Sequence, residues 1–294
     1  MRGLVVLTIV GFLAQLVDGA LGMAYGVSAT TLLLTAGIAP AVASASVHLS
    51  EVVTTAVSGT AHWRFGNVDW GKIVWLALPG GVGAFVGALA LSVIPEETGA
   101  PIVAIFLFGL GVYILVKFAF NRERPVVERP VSRKFLSPLG LVAGFLDAMG
   151  GGGWGPVATP SLLSSGRMQP RKVVGTVDTA EFVVALFASV GFLIGLGSQA
   201  IGWGVVVSLI AGGVVAAPIA AWIVRHLNAR VLGTAVGGFI LLVNAKTFLE
   251  AVGLDPSLNV IVYAAILAVW LTALYFAITA IRRERQPVLE TEAT

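Results

Sequence analysis

Seven long apolar stretches limit what this chain can fold into. Each contains about 20 mostly apolar residues, the length at which a helix rising about 1.5 Å per residue crosses a hydrocarbon core of about 30 Å. The 294 residues are 57% hydrophobic and only 11% charged, whereas a soluble protein carries about 25% charge. This composition excludes a soluble enzyme and a disordered chain. The predicted membrane-spanning helices are about 41–63, 72–93, 100–120, 172–197, 202–224, 231–251 and 258–281.

Two further apolar stretches, 4–36 and 136–165, are interrupted near their middle. The first is broken by Asp18–Gly22, and the second by Asp147 and the glycine-rich segment Gly150–Pro156. Each arm has about 12 to 15 residues, too few to cross the bilayer alone. We therefore predict two re-entrant hairpins, whose irregular backbone must be buried in protein or line a wet cavity.

The positions of the basic residues predict the orientation of the chain. Lys and Arg are enriched in short cytoplasmic loops. If each hairpin enters and leaves on one side, only Arg2 and Lys246 of the 18 basic residues fall outside cytoplasmic segments. The C-terminus is then cytoplasmic, and the basic segment 121–135 is a solvated loop rather than a nucleic-acid-binding region. The side of the N-terminus stays open. We expect the apolar start to be retained rather than cleaved, because Gln15 and Asp18 interrupt it.

The chain contains an internal repeat. Residues 11–30 align with residues 140–159 at a constant offset of 129, and after one inserted residue Glu51 matches Glu181. Each copy holds one hairpin and three crossings. Because this number of crossings is odd, the second copy is inverted relative to the first, as in secondary transporters.

We therefore predict an all-α polytopic membrane protein built from two inverted repeats. Each repeat is a broken re-entrant hairpin plus three transmembrane helices, and one extra transmembrane helix follows them. The predicted segments are a first repeat 1–120 with hairpin 4–36, a basic cytoplasmic linker 121–135, a second repeat 136–251 with hairpin 136–165, the extra helix 258–281 and a cytoplasmic tail 282–294.

Six ionisable residues lie within the predicted hydrophobic depth, three in each repeat and at matching positions. An Asp at the centre of a bilayer costs about 2.5 to 3.5 kcal/mol, so such residues usually face an internal cavity or pathway. His48 and Glu51 share one helix face because they lie three residues apart. We predict that the six exchange protons while a substrate moves. They are Asp18, His48, Glu51, Asp147, Asp178 and Glu181.

These residues also have a structural interpretation, which the sequence leaves open. Glu51 and Glu181 could bond to hairpin backbone groups and lock the fold. Asp18 and Asp147 each precede a glycine break, where a carboxylate can satisfy the free amides at the start of a helix.

The glycine-rich breaks are candidate substrate sites. Pro156 lies near a helix start, where free amides and the positive end of the helix dipole attract an anion. No arginine lies at this depth, so backbone amides, hydroxyl groups and an indole would hold the anion. In the alternative, the glycines only let helices approach closely. The predicted substrate-binding residues are Gly22, Gly26, Ser28, Thr30, Gly152, Trp154, Gly155 and Thr159.

Enzymatic motifs are missing from the sequence. It contains no cysteine, which excludes disulfides and thiolate chemistry. The three histidines lie far apart in the sequence, no zinc-protease motif is present, and the glycine-rich break lacks the ending of a phosphate-binding loop. We expect no catalytic residue, no metal, no cofactor and no nucleic-acid partner.

A family resemblance lies in the duplicated segments GFLAQLVDGALGMAYGVSATTLLL and GLVAGFLDAMGGGGWGPVATPSLL, with Glu51 and Glu181 downstream. They resemble the TauE/SafE sulfite exporter family, also called the 4-toluene sulfonate uptake permease family, over residues 1–251. The resemblance implies a bacterial cell-membrane transporter of small sulfur-containing anions such as sulfite, sulfoacetate or other organosulfonates. The first break departs from the glycine-rich form of the second, for example at Met23 and Tyr25, which indicates unequal half-sites.

We expect a secondary transporter that exports such an anion by alternating access, coupled to protons, with the substrate between the hairpin tips. Its partners are then the anion, protons and the lipid bilayer, and a homodimer is one option for its assembly. Two alternatives stay open. A passive anion channel would show neither saturation nor uphill accumulation, and a non-transporting membrane assembly or biogenesis scaffold would have a dry hairpin interface.

Overall fold

The computed structural model describes residues 2–21, 23–120, 130–223 and 229–292, and every regular element in these ranges is helical. The predicted all-α class is therefore confirmed. Gly22 and most of the predicted linker 121–135 lie outside these ranges. The helices are α1 Arg2–Leu21, α2 Tyr25–Thr35, α3 Pro40–Arg64, α4 Trp70–Val93, α5 Glu96–Phe120, α6 Arg133–Gly150, α7 Trp154–Ser164, α8 Pro170–Leu196, α9 Trp203–Ile223, α10 Ala229–Ala251, a 3₁₀ turn Pro256–Leu258 and α11 Asn259–Glu292.

Five of the described helices are long and apolar enough to cross a membrane. These are α4, α5, α8, α9 and α11. The sequence predicts seven spans, and the other two correspond to α3 and α10. Helix α3 has 25 residues but carries many buried polar side chains, which lower its average apolarity. Helix α10 contains a shorter apolar segment, Gly233–Ala245.

Each interrupted apolar stretch forms two helices, α1 and α2 in the first stretch and α6 and α7 in the second. Helix α6 ends where Gly151 and Gly152 adopt φ angles of 68° and 151°, conformations that glycine adopts without strain. Ala24 precedes α2 with a φ of 95°, and its Cβ makes this left-handed conformation cost about 1 to 2 kcal/mol. The first break therefore has a non-glycine residue in a left-handed conformation, whereas the second uses glycines there.

The first helix of each interrupted pair packs on the other half of the chain. Helix α1 lies along α9, and α6 lies along α4. Two pairs of long helices at matching positions also meet, α3 with α8 and α5 with α10. The contacts made by one half are thus repeated, with the partners exchanged, by the other half.

Glycines allow these exchanged contacts to be close. A Cβ placed on Gly144 of α6 would collide with the carbonyl group of Gly80 in α4. In the other pair, a Cβ on Gly212 of α9 would collide with the carbonyl group of Thr8 in α1. Small residues at such positions let membrane helices approach to backbone distance.

Helix α11 lies at the periphery and packs on α10 and α5. Many of its large apolar side chains are exposed, among them Val260 and Tyr275. Such a surface suits contact with lipid tails, which are themselves apolar.

Candidate functional site

The two helix breaks touch each other. A Cβ placed on Gly26, at the start of α2, would lie 2.8 Å from Gly152 Cα and 3.1 Å from the carbonyl oxygen of Gly151. Thr30 Oγ1 donates a hydrogen bond to the same Gly151 carbonyl. Residues 23–26 and 150–154 are buried. Backbone therefore meets backbone at this point, with no room there for a larger side chain.

The first ionisable cluster, which we call the His48 cluster, consists of His48, Glu51 and Asp147. His48 Nδ1 lies 2.8 Å from Glu51 Oε2 and 3.8 Å from Asp147 Oδ2. All three side chains are at most 2% exposed. Glu51 Oε1 would lie 3.2 Å from a Cβ on Gly26. The cluster thus joins α3 of the first half to the end of α6 in the second half, beside the contact between the breaks.

The second cluster, which we call the acidic cluster, consists of Asp18, Asp178 and Glu181. One carboxylate oxygen of each lies within 4.8 Å of the others, and all three residues are buried. Asp18 lies on α1, whereas Asp178 and Glu181 lie on α8. Ser58 Oγ of α3 donates a hydrogen bond of 3.1 Å to Asp178 Oδ1.

The six predicted residues thus meet as two groups of three, each shared between the halves. The hairpin aspartate of one half contacts the long helix of the other half. The groups differ at one position, because His48 stands where the acidic cluster has Asp178. The His48 cluster therefore contains an imidazole, which can be cationic, whereas the acidic cluster contains only carboxyl groups.

Both hairpin aspartates also bond to the start of the next helix. Asp147 Oδ1 accepts hydrogen bonds from the backbone N–H groups of Gly153 at 2.7 Å and Trp154 at 3.0 Å. Asp18 Oδ1 accepts one from the N–H group of Tyr25 at 3.3 Å. A carboxylate at this place satisfies amides that lack a partner inside the helix and interacts favourably with the helix dipole. The aspartates therefore stabilise the breaks as well as belonging to the clusters.

Trp154 is fully buried, and its indole group is already engaged. Its Nε1–H donates to the carbonyl oxygen of Val177 in α8 at 3.0 Å. Its ring lies against Gly80 of α4, where an added Cβ would come within 2.6 Å of it. The side chain thus ties α7 to α8 and α4.

The other predicted substrate residues lie at the breaks or within two helical turns of them. Gly26, Thr30 and Gly152 form the contact between the breaks, and Ser28 is 7% exposed on α2. Gly155 and Thr159 are buried on α7. Gly22 lies outside the described residues.

A continuous polar face along α3 escaped the sequence prediction. Its members recur every three or four residues, so they lie on one side of the helix. Each is at most 2% exposed, and they are Ser44, His48, Glu51, Thr55, Ser58 and His62. This spacing is itself the signal that could have revealed the face, because a membrane helix turns polar side chains inward.

Each cluster brings three potential ligand atoms within 4.8 Å of one another, a spacing that suits one small cation. Carboxyl groups at such distances also share protons, so the spacing alone does not indicate a metal. We assign none to either cluster.

Comparison with known proteins places both clusters inside a matched region. Residues 7–247 match the family described as sulfite exporter TauE/SafE. The chain is also 52% identical, over 284 residues, to a Bacillus subtilis (strain 168) protein named "Probable membrane transporter protein YtnM", and the alignment covers 96% of this chain and 94% of that protein. No solved structure matches the chain.

Proposed function

Because this chain belongs to the TauE/SafE sulfite exporter family of membrane transporters, we propose that it exports a small sulfur-containing anion, such as sulfite or an organosulfonate, by alternating access coupled to protons. As a transporter it is not an enzyme, since it moves its substrate across the membrane unchanged. The observation that carries the proposal is the position of two buried ionisable clusters, each shared between the halves, beside the contact of the two helix breaks.

We propose that the two halves are inverted repeats, 1–120 and 136–251, that rock against each other. The exchanged helix contacts support this arrangement, because a twofold relation makes each half repeat the contacts of the other. The linker 121–135 and the tail 282–294 are then cytoplasmic, and 258–281 is the extra span. Helix breaks at the interface of two repeats are the usual place for a transported substrate.

We place the anion at the helix-start amides of the two breaks in a state in which the breaks have moved apart, where it competes with Asp18 and Asp147. Asp147 holds the amides of Gly153 and Trp154, and Asp18 holds the amide of Tyr25. These helix-start amides are also what an anion would bind. Substrate and ionised carboxylate therefore compete for the same donors. The anion gains access when the aspartate is protonated or turns away, which couples substrate binding to proton binding.

In this proposal, the other members of the two clusters bind the protons. His48 Nδ1 faces both Glu51 and Asp147, so the imidazole can accept a proton that either acid releases. The acidic cluster has no such base among its three members. Three carboxylates buried together repel one another, so they need at least one shared proton. The two clusters would thus carry different numbers of protons during a transport cycle.

Counterflow in proteoliposomes tests the substrate assignment. Vesicles loaded with unlabelled sulfite are diluted into labelled sulfite, and protein-free vesicles correct for passive permeation. We expect saturable uptake, with transient accumulation of label, and the same behaviour with sulfoacetate, which stays charged. Uptake that rises linearly with concentration would indicate a passive channel. A lack of flux for every tested sulfur-containing anion would contradict the proposal and favour a scaffold.

A further inference from the structure

We propose that His62, positioned by Asn67, relays protons between the protein surface at the turn between α3 and α4 and Asp178 of the acidic cluster, which Ser58 holds by a hydrogen bond, and that this route exists for one cluster only. The route rests on the proposed proton coupling and goes beyond it, because it assigns the side from which the acidic cluster exchanges protons. It uses the end of the α3 polar face that the transport mechanism leaves unexplained.

The route begins with a hydrogen bond and ends at the surface. Ser58 Oγ donates to Asp178 Oδ1 at 3.1 Å. His62 follows four residues later on the same face of α3, and its Nδ1 lies 3.4 Å from Asn67 Nδ2. Asn67 is half-buried in the turn after α3, beside the exposed residue Gly66. Polar side chains thus connect a buried carboxyl group to the end of the helix.

Two buried atoms along the route lack a partner in the described part of the structure. These are Asp178 Oδ2 and His62 Nε2. His62 lies four residues after Ser58, whose hydroxyl group bonds to the other carboxyl oxygen of Asp178. Buried polar atoms normally have a hydrogen-bond partner, and in the proposed route water between the two side chains is the partner of both atoms. The two orphaned atoms therefore indicate a water position on the route.

The matching positions of the second half are apolar. At the offset of 130 residues that relates His48 to Asp178, Ser58 corresponds to Ala188 and His62 corresponds to Phe192. Phe192 stacks on His48, with 5.9 Å between the ring centroids and 18° between the ring planes. An apolar ring thus closes the His48 cluster at the place where the acidic cluster has a histidine. Positions 58 and 62 therefore offer a polar path to the acidic cluster, whereas positions 188 and 192 offer none to the His48 cluster.

Two lysines near the outer end of the route are engaged with other partners, and Arg64 at the end of α3 is exposed. Lys72 of α4 is ion-paired with Asp69, and Lys172 of α8 donates to the carbonyl oxygen of Val68 at 3.1 Å. Asp178 and Glu181 are the acidic residues of α8. His62 is therefore the titratable side chain of the described residues that stands between the acidic cluster and this turn.

A proton moves along this route without other reactants. A proton from solution binds one ring nitrogen of His62 while the proton on the other ring nitrogen passes to the bridging water. The water passes a proton to the Asp178 carboxylate, which becomes a carboxylic acid, and the imidazole stays neutral. Movement in the opposite direction reverses each step.

Infrared spectroscopy tests the route without a substrate. Full-length protein in lipid vesicles is moved from H₂O to D₂O, and the carboxyl C=O band is followed as O–H becomes O–D. The part of the band that Asp178→Asn removes belongs to Asp178. We expect that part to shift rapidly in the wild type and at least about tenfold more slowly in His62→Phe. The variant gives position 62 the side-chain type found at position 192.

The controls separate a proton route from a folding defect. Phe192→Leu, at the matching position, is expected to leave the rate unchanged. His62→Gln keeps a polar side chain but has no proton-accepting ring nitrogen, so it should be slowed about as much as His62→Phe. Backbone amide exchange in the same spectra reports folding. If His62→Phe does not fold, His62→Gln serves in its place.

Three results would overturn the route. The first is the absence of any band that Asp178→Asn removes. The second is a band shift in His62→Phe that is as fast as in the wild type. The third is a band shift in Phe192→Leu that is as slow as in His62→Phe. Because the spectra need no transport, a failure of the proposed transport function is recognised separately by the lack of anion counterflow.

Discussion

Asp147 uses its two carboxylate oxygens for different contacts. Oδ1 accepts hydrogen bonds from Gly153 and Trp154 at the start of α7, whereas Oδ2 lies 3.8 Å from His48 Nδ1. The sequence leaves two interpretations open for this residue, a helix cap and a proton-exchanging group. The geometry is compatible with both at once, because each interpretation uses a different oxygen.

Substitutions of Asp147 separate the two contacts. Asp147→Asn keeps an oxygen that can cap α7, so we expect a stability close to that of the wild type but a loss of pH-dependent transport. Asp147→Ala also removes the cap and should lower the free energy of unfolding by about 1 to 2 kcal/mol. Thermal unfolding in detergent and sulfite counterflow across a pH series measure the two effects. An alanine variant as stable as the wild type would contradict the capping contact.

Trp154 shows how a residue chosen from its chemistry can have another task. An indole N–H in a glycine-rich break is a reasonable anion donor, but this one donates to Val177. The sequence cannot reveal that contact, because it depends on how α8 packs beside α7. We propose that Trp154 positions the break and that backbone amides hold the substrate.

At the scale of helices, the repeat predicts which residues match but not which residues meet. Asp18 matches Asp147, and Glu51 matches Glu181. In the structure, Asp18 lies with Glu181, and Asp147 lies with Glu51. The exchange follows from α1 packing on α9 and α6 on α4, which the alignment of one half with the other does not contain. The sequence thus reveals the six cluster residues but not their grouping.

The contact between the breaks is an element-scale feature that one methyl group can disturb. A Cβ on Gly26 would lie 2.8 Å from Gly152 Cα, so Gly26→Ala must push the breaks apart. We expect a loss of about 1 to 3 kcal/mol of stability, typical of overpacking, together with slower counterflow.

Gly109→Ala is the matched control for this substitution. Nothing lies within 4 Å of a Cβ at Gly109 in α5, so this variant should behave like the wild type. Equal thermal stability and equal counterflow rates for the two variants would contradict the close contact of the breaks.

At the scale of the whole molecule, the two halves repeat one arrangement of helices but differ in chemistry. The polar face of α3 runs from Ser44 to His62, whereas the matching face of α8 becomes apolar at Ala185, Ala188 and Phe192. At these matched positions, polar side chains lead from the acidic cluster towards the surface, whereas apolar side chains cover the His48 cluster. A transporter with two equal halves would have no such difference between its two sides.

The most direct test of proton-coupled transport measures anion flux and internal pH in the same proteoliposomes under an imposed pH gradient. We expect wild-type protein to accumulate sulfoacetate or sulfite above the protein-free level, and a protonophore should abolish the accumulation. The double variant Glu51→Gln, Glu181→Gln should lose this gradient-driven accumulation but keep counterflow, whereas Glu97→Gln, an exposed control, should retain both. Undiminished gradient-driven flux in the double variant would contradict the role of the two clusters.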